Sequence, residues 1–240
     1  MELRIFQKGF NYSQDGPGNR LVYHLQGCNM RCPWCANPEG LDPQGGKAWP
    51  VEALADEVRR SRSMFFDGGG VTFTGGEPTM QFEALARLLA MLKEMGVNTA
   101  IETNGTHPRL PELYPLLDHV MMDFKQPFPE LHRNHTGVGS EVLLKNLTLA
   151  AQQHKDLLIR IPVIGGYNDS PGDMEEFARI LAGLEQKTLR VELLRYHEYG
   201  KTKWEKLGRE YTVRDAHISD ERYRTFLEIL HRKGLTTVTT

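Results

Sequence analysis

A chain of 240 residues with 40% hydrophobic and 25% charged residues has the composition of a globular protein, and no apolar run approaches the ~18 residues that a membrane-crossing helix requires. Its 29 Lys and Arg against 31 Asp and Glu leave a formal net charge of −2, which gives no basic footprint for nucleic acid. No linker, repeat or low-complexity segment interrupts the chain, which predicts a single domain over residues 1–240.

In chain order, short β-rich runs alternate with helical patterns, the signature of βα units on a mostly parallel sheet. Asp15-Gly16-Pro17-Gly18 reads as a turn, and a first strand, Arg20 to Gln26, follows it. Cys28, Cys32 and Cys35, the only cysteines, come directly after that strand. Val51, Leu54, Ala55 and Val58 recur at i, i+3, i+4 and i+7 and predict a helix, with Arg59-Arg60-Ser61-Arg62 as its solvated end. A second strand, Gly70 to Thr74, runs into Gly75-Gly76-Glu77-Pro78. Phe82, Leu85, Ala86 and Leu89 then mark a helix closed by Gly96. Strands over Thr99 to Thr103 and His119 to Phe124 are followed by a helix around Leu143, Leu144 and Leu147. The strand Leu157 to Val163, a helix with Phe177, Ile180, Leu181 and Leu184, and the strand Leu189 to Arg195 continue the alternation. A last helix carries Tyr223, Phe226, Leu227 and Leu230 between a Ser219 N-cap and Gly234. Most of the strands read as near-continuous apolar runs, as expected of strands covered on both faces.

Six parallel strands fall short of the eight that close a barrel, so the predicted fold class is α/β, a partial (β/α)6 TIM-like barrel with a wide mouth. Ligands in such folds bind at the carboxyl ends of the strands, and the residues with chemistry collect there: the cysteines, Gly75 to Pro78, Glu102 to Gly105, Asp123-Phe124-Lys125, Arg160 and His197.

Cys-x3-Cys-x2-Cys supplies three thiolates, one short of the set that holds a four-iron cluster in an electron carrier, which leaves one iron open to a reacting molecule. Zinc is the competing reading, but a structural zinc site has four protein ligands, and here a second Cys-x2-Cys is absent and the nearest histidine is His24. A disulfide framework conflicts with the odd count and with the absence of an apolar leader after Met1; a reducing compartment, the cytosol, is expected. Gly75 and Gly76 are either a plain turn or a place where backbone approaches a ligand. Asp123 and Lys125, two apart on a strand, share a face as a buried ion pair or, the preferred reading, as a polar clamp on a ligand.

These motifs together resemble the radical S-adenosylmethionine (SAM) superfamily and, within it, the activating enzymes of glycyl radical enzymes. The superfamily likeness is Cys-x3-Cys-x2-Cys with a Gly-Gly-Glu-Pro strand end. The activase likeness is Asp15-Gly16-Pro17-Gly18, Met122-Asp123-Phe124-Lys125, His132-x3-Thr136-Gly137 and Tyr196-His197-Glu198-Tyr199-Gly200-Lys201, so that nearly the whole chain is covered. The resemblance implies one [4Fe-4S] cluster on Cys28, Cys32 and Cys35, with SAM chelating the fourth iron, and a 5′-deoxyadenosyl radical released from it. It also implies a cofactor shell of Trp34, Ala36, Asn37, Gly75, Gly76, Glu77, Thr103, Asp123, Phe124, Lys125, Arg160 and His197. Of these, Glu77 either retains the methionyl ammonium or faces solvent. A monovalent cation, Na⁺ or K⁺, is implied at Glu102, Thr103, Met121 and Asp123. Asp15, Gly16, Pro17, Gly18 and His132 are implied to shape a groove for the partner peptide.

The implied substrate is the glycyl loop of a partner glycyl radical enzyme, pyruvate formate-lyase or a related lyase or decarboxylase, with flavodoxin or ferredoxin as the reductant and a monomeric activator. Ala36 stands where the family often has histidine, and Glu102 where it often has aspartate. No cysteine follows Cys35, which excludes an auxiliary cluster. Two other function classes stay open: a radical SAM enzyme acting on a small molecule such as a deazapurine precursor, and a non-catalytic iron–sulfur binding module.

Overall fold

The computed structural model describes residues 1–184 and 188–239. Among them, nine strands form one open sheet: β1 (Glu2–Tyr12), β2 (Asn19–Leu25), β3 (Lys47–Pro50), β4 (Gly70–Gly75), β5 (Thr99–Thr103), β6 (His119–Asp123), β7 (Leu157–Val163), β8 (Arg190–Arg195) and β9 (Thr236–Thr237). Their order is β3-β1-β2-β4-β5-β6-β7-β8-β9. The strands β2 and β4 to β8 are parallel neighbours and are the six expected, each within one residue of its predicted ends. The sequence reading had no β1 and no β3. β1 runs antiparallel to β2 with a bulge between Ile5 and Gln7, and β3 pairs with its first residues. Gly9 and the polar half of β1 hide the alternation that a strand normally displays, and β3 is four residues long and ends in proline.

The helices α1 (Val51–Arg60), α2 (Phe82–Glu94), α3 (Pro129–Thr136), α4 (Glu141–Gln153), α5 (Pro171–Ala182), α6 (Lys201–Lys206) and α7 (Asp220–Arg232) complete the described elements. Caps explain several of their ends. Ser170 and Asp173 form a reciprocal capping box ahead of α5, Ser219 accepts from the Arg222 amide at 3.1 Å, and Gly96 and Gly234 take left-handed conformations after α2 and α7.

The strands are not apolar on both faces. Leu21, Tyr23 and Leu25 of β2, Val71 and Phe73 of β4, and Ile159 and Ile161 of β7 face the helices and build the main core. Their alternate neighbours turn into the barrel and are largely polar. Ala100, Met121 and Leu158 form a small apolar layer with Val238 against them. Glu102, Asp123, Arg160 and Glu192 occupy the positions one pleat further toward the carboxyl ends. Buried charges are tolerated only when paired, and here they are: Arg160 Nε donates to Glu192 Oε2 at 2.9 Å and Nη1 to Glu102 Oε1, while Thr74 donates to Glu102 Oε2 at 2.7 Å.

Candidate active site at the barrel mouth

The carboxyl ends of the parallel strands surround a cavity of about 260 Å3. Fourteen sequence-predicted residues line it: Cys28, Cys32, Cys35, Trp34, Ala36, Asn37, Gly75, Gly76, Glu102, Thr103, Asp123, Lys125, Arg160 and His197. The three cysteines are reduced, and they share this one wall. Burial pushes the thiol of Cys28 up to about 11 and that of Cys32 up to about 12, so without a metal both carry their protons.

The cysteine loop is held from four sides. Asn29 is bonded by Asn104 and bonds Thr106, both at 2.8 Å, after β5. The Arg31 amide donates to the Thr136 carbonyl at 2.7 Å, the Trp204 indole donates to the Cys35 carbonyl at 2.9 Å, and Lys203 reaches Asn37 at 2.8 Å. Tyr196, Tyr211, Val213 and Ala216 pack with Met30, Cys32 and Trp34 as an apolar lid on this loop. Such a seal keeps water from the chemistry inside.

Gly75 and Gly76 are needed for a reason the sequence reading did not see. Gly75 has φ +121°, and a Cβ on Gly76 would meet the Gly40 carbonyl at 2.6 Å and collide with that of Gly27. Backbone therefore packs on backbone: the Gly76 amide donates to Leu25 at 2.9 Å and the Glu77 amide to Gly27 at 2.7 Å. The strand end and the cysteine loop are welded together, with their glycine backbone facing the cavity.

Several expectations are corrected. Glu77, 1% exposed, neither lines the cavity nor faces solvent. Its carboxylate accepts from Thr79 N and Oγ1, Thr103 Oγ1 and the Asn104 amide at 2.5–3.0 Å, tying the ends of β4 and β5 together. Burial raises its pKa and these bonds oppose the rise. Phe124 turns into the core, its ring edge-on to Phe177 with centroids 4.8 Å apart. Met121 lies in the apolar layer below the cavity. Glu102 is engaged by Arg160 and Thr74, and the Thr103 hydroxyl by Glu77, so the residues expected around Na⁺ or K⁺ do not form a free ligand set. Burial nevertheless pushes Glu102 up to about 7 against the pull of Arg160.

His132 is fully buried and donates from Nδ1 to the Val138 carbonyl at 2.6 Å, so it braces the turn at Gly137 behind the cysteine loop and does not line a peptide groove. Asp15 to Gly18 stand outside the cavity. Asp15 borders a second depression with His24, Asn37, His197, Tyr199 and Lys203, which adjoins the cavity through Ala36, Asn37 and His197. The carbonyls of Asp15 and Pro17 are tied to Thr72 at 2.6 Å and Arg20 at 3.1 Å, and Gly16 and Gly18 supply the positive φ of the turn. Asp123 and Lys125 are an ion pair at 2.7 Å and both line the cavity, so the pair stands where a clamp on a ligand would. Trp34 packs on Tyr167 at 4.9 Å, and His197 stacks on Tyr199 at 4.1 Å. Thr74, Pro162 and Ile164 also line the cavity without having been expected there, and so do Asn104 and Tyr196, which the sequence marks only as parts of a strand end and a motif.

The donor set fits a four-iron cluster: three thiols line one cavity, and among the described residues no group of three His, Cys, Asp or Glu is placed to hold a single metal ion. Glu77→Gln is expected to lower stability by about 1–3 kcal/mol, because an amide replaces a carboxylate that accepts four bonds. Thermal unfolding of the two proteins checks this.

An open parallel barrel with three cysteines after its first parallel strand and a glycine cradle after the second is the arrangement of a radical SAM enzyme. The Radical SAM superfamily pattern matches residues 22–181, and the chain belongs to that superfamily. It is 38% identical over 207 residues to the pyruvate formate-lyase 1-activating enzyme of Escherichia coli (strain K12), covering 83% of this chain and 82% of that protein. It is 26% identical to the (2S)-3-sulfopropanediol dehydratase activating enzyme of Klebsiella oxytoca, over 90% and 89% of the two chains. That alignment spans 281 positions, more than this chain has residues, so the relative carries inserted segments that are absent here. Among solved structures, a domain of the pyruvate-formate lyase-activating enzyme from Bacteroides vulgatus superposes with a TM-score of 0.60 at 26% identity, covering 71% of this chain and 98% of that one.

Proposed function

We propose that this chain is an activating enzyme that installs a glycyl radical on a partner enzyme, using one [4Fe-4S] cluster and SAM. The observation that carries the reading is the cavity itself: three reduced cysteines face a glycine-lined strand end, and the cavity opens sideways into a polar groove past the Asp15 turn. Cys28, Cys32 and Cys35 hold the cluster. When bound, the cluster and SAM supply the electron transfer and carbon–sulfur cleavage that yield a 5′-deoxyadenosyl radical able to take an α-hydrogen from glycine.

The protein's share is placement and exclusion. The backbone at Gly75 and Gly76 takes the methionyl end of SAM, Asp123, Lys125 and Arg160 surround its charges, and Asn37 and His197 stand at the nucleoside side. Burial holds the His197 imidazole below the usual histidine range, so it meets the ligand neutral at pH 7. The lid of Tyr196, Tyr211 and Trp204 keeps solvent off the cysteine loop. The groove, bounded by Gly9, Gln14, Asp15 and His24, adjoins the cavity and is the place for an extended peptide. The identity to the E. coli relative makes pyruvate formate-lyase the first partner to try, with related dehydratases and decarboxylases next. A single domain, a monomeric state, a flavodoxin or ferredoxin reductant and a cytoplasmic location belong to the same reading. No helix among the described residues is long and apolar enough to cross a membrane.

The test is isotopic. A peptide or partner with α-deuterated glycine at the target should pass its label into 5′-deoxyadenosine. Glycine suits the reaction because it offers two α-hydrogens and no side chain. Turnover of a small metabolite with no label transfer from any candidate partner would overturn the assignment.

A further inference from the structure

β1 is paired with β2 from Ile5 to Tyr12, but with β3 only over Glu2 to Ile5. From Gln7 to Tyr12 its other edge faces no strand among the described residues. An open edge invites another chain, and folded proteins normally blunt it with charge, proline or short length. Here it is dressed with aromatic rings. Phe10 and Tyr12 are 44% and 54% exposed, and the neighbouring loop adds Met64 and Phe66 at 45% and 49%. The rings are ordered in pairs, Phe10 with Phe65 at 6.4 Å between centroids and Tyr12 stacked on Phe66 at 6.0 Å, with the Tyr12 hydroxyl donating to Asp67 at 3.0 Å. Clustered apolar exposure of this kind marks protein–protein contact, where aromatic residues are the usual anchors.

We propose that the Gln7–Tyr12 edge and this aromatic ledge form the docking surface for the folded body of the glycyl radical enzyme, continuous with the groove that takes its loop and extending beyond it at Tyr12 and Phe66. The inference rests on the function proposed above. Continuity argues for this occupant: Gln7, Gly9, Phe10 and Asn11 of the same strand line the groove that leads past His24 to His197. A loop threaded there brings the enzyme that owns it over the edge and outer face of β1. The edge offers backbone groups for strand addition, and the rings of Tyr12 and Phe66 offer anchors beyond the groove that holds a short peptide.

The double variant Y12S/F66S lies outside the cavity and groove and separates the two contacts. Pyruvate formate-lyase, (2S)-3-sulfopropanediol dehydratase and 4-hydroxyphenylacetate decarboxylase serve as whole-protein probes, each beside a synthetic peptide of its own glycyl loop. With the probe that the parent activates, the variant is expected to raise KM for the whole enzyme by about tenfold, about 1.4 kcal/mol of lost contact. KM for the peptide and SAM cleavage without substrate should stay within about twofold, which also shows that the variant is folded. Equal KM for the whole enzyme in parent and variant overturns the proposal, as does a parallel rise for enzyme and peptide. A parent dimer that the variant converts to monomer assigns the ledge to self-association and overturns it as well. A parent that activates none of the three removes the function reading itself, before any variant is compared.

Discussion

Replacing Cys28, Cys32 or Cys35 by alanine is expected to abolish SAM cleavage and to cut bound iron from about four atoms per chain to a residual level after anaerobic reconstitution. The effect is all-or-none because the chain has no fourth cysteine to step in, and among the described residues His197 is the one histidine that lines the cavity. The loss should not spread to the fold: each cysteine sits in a loop whose hold comes from Asn104, Thr136 and Trp204, none of which uses the sulfur. Iron and sulfide analysis, visible absorption and deoxyadenosine formation check the three variants together. Full activity in any one of them, or tight zinc with no iron in the parent, would sink the cluster assignment.

Arg160→Met is expected to cost about 3–5 kcal/mol of stability, the range for removing one partner of a buried ion pair, and so to lower Tm by roughly 6–20 °C on the scaling for chains of this length. Methionine keeps much of the stem's packing, so the loss reports the charge. Glu102 stays buried in the barrel and loses the guanidinium that neutralises it. The pH dependence has a definite sign. Burial already sets Glu102 at about 7, above the ordinary carboxylate range, so the folded state favours its protonated form and that stabilising share is lost as pH rises through 7. Without Arg160 the carboxyl is held higher still, and the gap between parent and variant should widen between pH 6 and 8. Thermal unfolding across that interval checks it; a gap that is constant or closes with rising pH would show that the Glu102 charge is not what Arg160 stabilises. SAM binding should fall as well, since Arg160 lines the cavity.

Each part of the site was legible to the extent that its cause was local. Spacing alone marked Cys28, Cys32 and Cys35, because the short loop that carries them brings them to one wall. The Gly75-Gly76 pair was visible as a strand-end break, but its reason lies in Gly27 and Gly40, which reach it only through the sheet. Glu77 reads like a ligand in a motif, yet its carboxylate is consumed by Thr79, Thr103 and Asn104, the last two at the end of another strand. His132 reads like a groove residue and is instead sealed behind the cysteine loop. In each case the side chain's direction, which no motif states, decided the role.

By itself the sequence determined the period of the six parallel strands and the helices that cover them, the place of the chemistry at the strand ends, and the single set of three thiols. These follow from local periodicity, caps and composition, which act over a few residues. Tertiary structure alone decided that the barrel interior is a layer of paired charges with Arg160 between Glu102 and Glu192. It also decided that β1 folds back along β2, leaving one edge and a groove open, and that the Tyr196 to Ala216 segment closes over Cys35. Those arrangements join residues far apart in the chain, and their energies come from desolvation and pairing of groups that have no partner until the sheet has formed.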